Sequence, residues 1–167
     1  EELDADWAKV GFEFAPIDPV YAHPGYGIQM TGGSTSTLAM SEPMRRAGAA
    51  ARAVLVEAAA RRWAVPASEC RTENGAALHD ASARRAPYGE LVEAAAGLEP
   101  PGEVPLKDPR DFRLIGRPIH RLDTPDKVSG KALFSLDIAL PGMLTALVAH
   151  PPVFGGKARR VEDKAAL

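Results

Sequence analysis

The segment Thr31-Gly32-Gly33-Ser34-Thr35-Ser36-Thr37 has the residue types best matched to a chemical task. Two glycines let a ligand reach the backbone without a Cβ in the way. Their N–H groups and the neighbouring hydroxyls are donors, and a predicted helix begins shortly after with its positive end toward them. That is an anion cradle able to take a phosphate or pyrophosphate. The same residue types also make plain helix caps and linkers, so the pattern by itself admits both. No G-x-G-x-x-G occurs, and Gly155-Gly156-Lys157 lacks the upstream glycine and the following Ser/Thr of a P-loop. Nucleoside triphosphatase chemistry is not indicated.

Other chemistry-bearing residues are scattered. His23, His79, His120 and His150 lie far apart, none with a second His or a carboxylate at a helical ligand spacing, so they read as surface or loop histidines and no metal ligand is assigned. Cys70 is the only cysteine and reads as a small buried apolar residue rather than a reactive thiolate. Asp4, Asp6, Glu42 and Glu57 offer carboxylates, but nothing in the spacing pairs two of them across a substrate. No catalytic acid or base is assigned.

The elements that must position the cradle are read from composition and period. With 167 residues, 46% hydrophobic and 25% charged, the chain belongs to the globular class, and its net charge of -2 gives no footprint of a nucleic-acid binder. No apolar run reaches the ~20 residues of a membrane span. Val10-Gly11-Phe12-Glu13-Phe14 alternates like a half-buried strand, and a long loop follows. Leu38 to Trp63 is rich in helix formers, with Ser41 as cap and Pro43 in the first turn; a start near Ser34 instead puts a kink at Pro43. Met44, Ala47, Ala51, Val54, Leu55 and Ala58 fall on one predicted buried stripe. The run Ala47-Gly48-Ala49-Ala50-Ala51 has so little bulk that another backbone is expected close to it, with Phe12 and Phe14 packed on the alanine face.

Asn74-Gly75 predicts a hairpin between Cys70–Thr72 and Ala76–His79, and Pro87–Ala96 a short helix closed by Gly97. The proline-rich Glu99–Pro109 is an extended, exposed connector at a domain boundary. Beyond it Leu114–Gly116, Lys131–Ile138 and Leu144–His150 read as strands of a β-rich unit, and Val161–Leu167 as the first turns of a helix. The opening without Met and the unfinished last helix suggest a piece cut from a longer protein.

Several runs carry a resemblance: Glu1-Glu2-Leu3-Asp4-Ala5-Asp6-Trp7, Gln29 to Thr37, Pro43 to Arg52, Ala60 to Pro66, Leu106-Lys107-Asp108-Pro109, Ile115-Gly116-Arg117, Arg121 to Ala132 and Asp137 to Leu144. Together they resemble the molybdenum-binding large (beta) subunit of isoquinoline 1-oxidoreductase-type enzymes, in the xanthine dehydrogenase and aldehyde oxidase family. The resemblance implies an internal stretch of a longer bacterial subunit, periplasmic or cytoplasmic. It also implies a cofactor, molybdopterin cytosine dinucleotide, whose dinucleotide end lies against Gly32, Gly33, Ser34 and, further out, Thr31, Thr35, Ser36 and Gln29. Implied partners are a small [2Fe-2S] iron–sulfur subunit, the rest of the large subunit, and an aromatic heterocycle or aldehyde as substrate, with no nucleic acid and no membrane span. The family's catalytic glutamate matches nothing in this chain, and the hammerhead unit follows the Gly-Gly-Ser segment here, the order of the isoquinoline branch.

The expected fold is therefore α+β, with residues 1–111 as part of a molybdopterin-binding domain and 112–167 as the first part of an α/β-hammerhead domain. The stretch alone is expected to be inactive, because it lacks the base and most of the cofactor pocket. The competing reading is a non-catalytic binding or assembly domain in which Gly32–Thr37 is a capped loop and the Ala-rich helix a docking face.

Overall fold

A computed structural model describes residues 1–165, which divide after Thr124 into two units, Glu1–Thr124 and a second that begins at Pro125. Helix and antiparallel sheet occur together, as expected of the α+β class. In the first unit the long helix α1 runs Thr35–Trp63, and β1 (Cys70–Glu73), β2 (Ala76–His79) and β3 (Arg84–Pro87) form an antiparallel meander. A single turn of 3-10 helix, Tyr88–Glu90, then leads into the short helix α2, Val92–Ala96.

The hairpin forms as predicted. Asn74 and Gly75 both take positive φ, 46° and 70°, which sets the register Thr72↔Ala77 and Glu73↔Ala76 across a two-residue turn. β3, which had no sequence signal because Arg84-Arg85-Ala86-Pro87 shows no apolar alternation, pairs onto β2 with Ala77 opposite Ala86. Helix and sheet meet through Ala58, Ala59, Ala77, Ala86 and Ala95, with Leu91 the one large side chain fully inside among the described residues. Alanines bury little area each, so this core gains stability from close backbone approach rather than from bulk.

Several expectations are corrected. α1 begins at Thr35, not behind Ser41, so Pro43 lies inside the helix and leaves the Ala39 carbonyl without its helical donor. The predicted stripe is only half buried: Met44, Ala47 and Ala51 face solvent, whereas Ala49 and Ala58–Ala60 are buried. A helix with alanine on every side has no strong apolar face, so its partners choose the side that packs. Val10–Phe14 is not a strand, since no neighbouring segment pairs with it. Phe12 (53% exposed) and Phe14 (79%) stack edge-to-face on each other instead of on the helix.

The partner that does approach the glycine is Glu1–Asp6. A Cβ on Gly48 would sit 3.3 Å from Glu2 Cβ and 3.6 Å from the Leu3 nitrogen, so the small residue admits this strap. The strap is tied to the hairpin by Gly75 N–H donating to the Asp4 carbonyl (2.7 Å) and by the Tyr88 hydroxyl donating to the Leu3 carbonyl (2.7 Å). The connector has no regular structure, as expected, but its end is not free. Lys107 Nζ donates to the Glu1 carbonyl (2.9 Å) and pairs with Asp4.

In the second unit the β-rich expectation fails. Leu114–Gly116, at the end of the first unit, and Lys131–Ile138 and Leu144–His150 in the second form no strands; among the described residues there are only α3 (Thr124–Val128) and a 3-10 turn at Ser135–Asp137. Alternating side chains suit a sheet, but a strand exists only where another strand accepts its ladder, and none of these segments pairs. Their apolar residues stay in solvent, Leu136 at 99% and Leu147 at 95% exposure. Val161–Ala165 form no helix, and the last two residues of that expected turn lie outside the described residues.

Candidate cofactor-binding loop

The glycine segment enters α1 through two consecutive left-handed residues, Gly33 (φ 56°) and Ser34 (φ 58°). Thr35 closes the turn on itself: its N–H (3.1 Å) and its hydroxyl (2.8 Å) both donate to the Gly32 carbonyl. The Thr35 hydroxyl is thereby committed. Ser34, the N-cap, makes no side-chain cap bond and is exposed, so its hydroxyl can serve a ligand. Ser36 and Thr37 occupy the first helical turn, where backbone N–H groups lack intrahelical acceptors. Thr31, Gly33 and Ser34 face solvent and Gly32 is half-buried. A Cβ on Gly33 meets nothing nearer than Thr35 Cγ2 at 3.8 Å, so the space over the turn is open.

Gln29 is not brought to the turn. Its side-chain amide donates to the Pro16 carbonyl (3.0 Å) and accepts from Asp18 N–H (3.3 Å), bracing the preceding loop. Residues 29–37 contain no charged side chain, so the cradle offers only backbone and hydroxyl dipoles. An anion meets no carboxylate there.

A second polar cluster lies under the strap. Glu2, 3% exposed, accepts from Arg45 Nε (2.8 Å) and from the Lys107 backbone N–H (3.0 Å), and Arg45 also donates to the Lys107 carbonyl (2.9 Å). Asp4 accepts from the Thr72 hydroxyl (2.6 Å), pairs with Lys107 and lies 3.8 Å from Arg52. Burial alone would raise the Glu1 carboxyl, but N–H donors from Arg113, Ile115 and Leu114 outweigh it and hold it at about 2. Burial beside the Asp4 charge pushes the Tyr88 phenol up to about 12. Every carboxylate of the cluster is met by cations or donors, which makes it a clamp rather than an acid–base pair. The exposed carboxylates form separate local pairs, Glu42 with Arg46 and Glu57 with Arg61.

No family model matches the chain. It is 39% identical, over 99% of its length, to the beta subunit of isoquinoline 1-oxidoreductase from Brevundimonas diminuta. It is 32% identical over 98% to a membrane-bound aldehyde dehydrogenase [pyrroloquinoline-quinone] of Gluconacetobacter polyoxogenes, and 35% over 73% to a nicotinate dehydrogenase subunit of Pseudomonas putida. The chain belongs with the isoquinoline 1-oxidoreductase beta subunit, as a stretch of such a protein. It spans 26%, 21% and 10% of the lengths of these three relatives. The first match extends over 201 positions against the 167 of this chain, so that oxidoreductase subunit carries insertions here. Among the described residues, no helix is long and apolar enough to cross a membrane.

The remaining chemistry-bearing residues of this stretch serve its framework. His79, expected at the surface or in a loop, is instead 4% exposed at the end of β2. Its Nε2 faces Glu69 Oε2 (3.1 Å) and its Nδ1 faces Ser82 Oγ (2.7 Å). Because a carboxylate only accepts, the neutral ring carries its proton on Nε2 and the Ser82 hydroxyl donates to Nδ1. That hydroxyl satisfies a buried nitrogen in the turn after β2, so the trio locks the hairpin end. Cys70 is half-buried, and burial, with the Glu69 charge beside it, pushes its thiol up and away from the thiolate.

Proposed function

We propose that this chain is the cofactor-loop segment of a molybdenum hydroxylase large subunit, with residues 1–111 in the molybdopterin-binding domain and 112–167 opening the α/β-hammerhead domain. The observation that carries the reading is 39% identity over 99% of the chain to the beta subunit of an isoquinoline 1-oxidoreductase. The other relatives' names widen the substrate class in a chemically consistent way: isoquinoline and nicotinate hold ring C=N bonds, and an aldehyde holds C=O. Each presents an electrophilic carbon bearing hydrogen. The whole subunit accordingly hydroxylates an N-heterocycle or aldehyde with water as oxygen source and passes two electrons to an iron–sulfur subunit. When bound, the molybdenum cofactor supplies that two-electron oxidation.

The residues of this chain bind and orient the cofactor. Gly32, Gly33 and Ser34 hold the phosphate or cytidine end of molybdopterin cytosine dinucleotide through backbone N–H groups and the free Ser34 hydroxyl, with Thr31 and Ser36 beside them. Support comes from the open space over Gly33, the uncommitted Ser34 hydroxyl and a loop without carboxylates. The exposed Leu136 and Leu147 are suited to a sheet completed by other parts of the subunit.

The test is Gly33→Val in the full-length subunit. A β-branched residue at φ 56° is strained and fills the approach to the turn, so bound molybdenum and cytidine nucleotide fall while helicity is kept. Ser34→Ala removes one donor and costs less, about 0.5–1.5 kcal/mol of binding. Wild-type molybdenum and nucleotide content in Gly33→Val would refute the assignment.

A further inference from the structure

We propose that His23 is the positioning residue of the glycine loop, a clasp that holds the turn at Gly32–Ser34 in its ligand-ready shape. This rests on the reading of that loop as the cofactor loop. Every polar group of His23 is engaged. Its N–H donates to the Ile28 carbonyl (2.9 Å), and its carbonyl accepts from Tyr26 N–H (3.1 Å) and Gly27 N–H (2.8 Å). Its ring Nδ1 accepts from Gly25 N–H (3.0 Å) while Nε2 lies 3.3 Å from the Thr35 carbonyl. A backbone N–H only donates and a carbonyl only accepts, so the two contacts demand the same neutral tautomer, with hydrogen on Nε2. The Tyr26 ring lies against it at a tilt of 41°, 4.7 Å between centroids.

The ring thus joins two parts of the chain twelve residues apart, the His23–Ile28 loop and the first residue of α1. The segment between them contains the exposed cradle. That segment needs an outside restraint, because Ser34 adopts a left-handed conformation unfavourable to a residue with a Cβ and makes no side-chain cap bond to offset it. With the Thr35 carbonyl fixed from the loop side, Gly33 and Ser34 are confined to the tight reversal between two anchored points. Without it, the cradle samples other conformations, and the apparent cofactor affinity falls by the fraction of time it is misshapen.

Two isosteric replacements separate the two ring contacts. In His23→Asn the side-chain oxygen reaches as far as Nδ1 and keeps the Gly25 contact but not the Thr35 clasp. In His23→Gln the amide nitrogen reaches toward the Nε2 position and keeps the clasp. Both are made in the full-length subunit, with His23→Ala and Gly33→Val alongside. The readouts are cytidine nucleotide and molybdenum content of the purified protein, and hydrogen exchange at the Thr35 and Leu38 amides, which donate to the Gly32 and Ser34 carbonyls. We expect His23→Asn and His23→Ala to speed that exchange and to lose about 3- to 10-fold in nucleotide retention, as loss of one such bond permits, with His23→Gln restored toward wild type. Wild-type retention in His23→Asn, or a His23→Gln protein as depleted as His23→Ala, overturns the clasp. Faster exchange with unchanged retention overturns it as well, leaving His23 a purely structural residue. If Gly33→Val keeps its cofactor, the loop reading itself fails, and that outcome is distinct from the first two because it does not depend on His23.

Discussion

Replacing Arg45 by Met tests whether the strap of residues 1–6 is held by charge or merely by contact. Methionine keeps an unbranched stem across the same surface and removes only the guanidinium. In the structure that group donates to Glu2 at 2.8 Å and to the Lys107 carbonyl at 2.9 Å, and lies 4.8 Å above the Phe112 ring. Glu2 is 3% exposed, so its carboxylate cannot turn to water for compensation. Removing one partner of a buried pair costs about 3–5 kcal/mol. The low end applies because Glu2 keeps the Lys107 backbone donor at 3.0 Å, and the lost cation–π contact adds only about 0.5–1 kcal/mol. We therefore expect Arg45→Met to lower stability by about 3 kcal/mol.

The same substitution in a Glu2→Gln background leaves no buried charge behind and should cost only about 1 kcal/mol. The assay is urea unfolding followed by far-UV circular dichroism at neutral pH on the four proteins of the cycle. A coupling of about 2 kcal/mol is expected, since the two side chains touch. A single-mutant loss below about 1 kcal/mol, or a cycle additive to within about 0.5 kcal/mol, would show that the strap owes its place to packing alone.

Gly48→Ala should stay within about 1 kcal/mol of wild type, because the helix-propensity gain offsets the 3.3 Å squeeze on Glu2. Gly48→Leu should lift the strap, lose about 2 kcal/mol and speed exchange of the Gly75 amide, and a protected Gly75 amide in that variant refutes the close approach. The Glu1 carboxyl, held at about 2 in the folded chain against an ordinary value of 4.5, contributes stability that is complete above about 4.5 and lost as pH falls toward 2. Glu1→Gln should flatten the stability profile in that window alone; an equal flattening at neutral pH contradicts this. Cys70 should alkylate more slowly than a free thiol at mildly alkaline pH, and Glu69→Gln should speed it; an unchanged rate removes the Glu69 charge as a cause.

Local signals were legible in the sequence and survived folding. Asn74-Gly75 needs only its own two residues to take positive φ, and an Ala, Leu, Arg and Glu run needs only itself to be helical, so the hairpin and most of α1 were predictable. The prolines of Glu99–Pro109 likewise exclude a ladder from within. Gly48 announced that a backbone would approach, because absence of bulk is a property of one residue. The glycine segment could be picked out by composition for the same reason.

Tertiary structure alone decided whatever needed a partner remote in sequence. Which side of α1 is buried depended on a strap forty-odd residues away, and an all-round alanine surface could not name it. Phe12 and Phe14 had the alternation of a strand but no segment to pair with, and so did Leu133–Ile138, because a strand is a relation between segments rather than a property of one. His79 passed for a surface residue until Glu69 and Ser82 closed on its two nitrogens. His23 looked like one more loop histidine; its ring matters only because folding brings Gly25 N–H and the Thr35 carbonyl to its two sides, with geometry that permits a single tautomer.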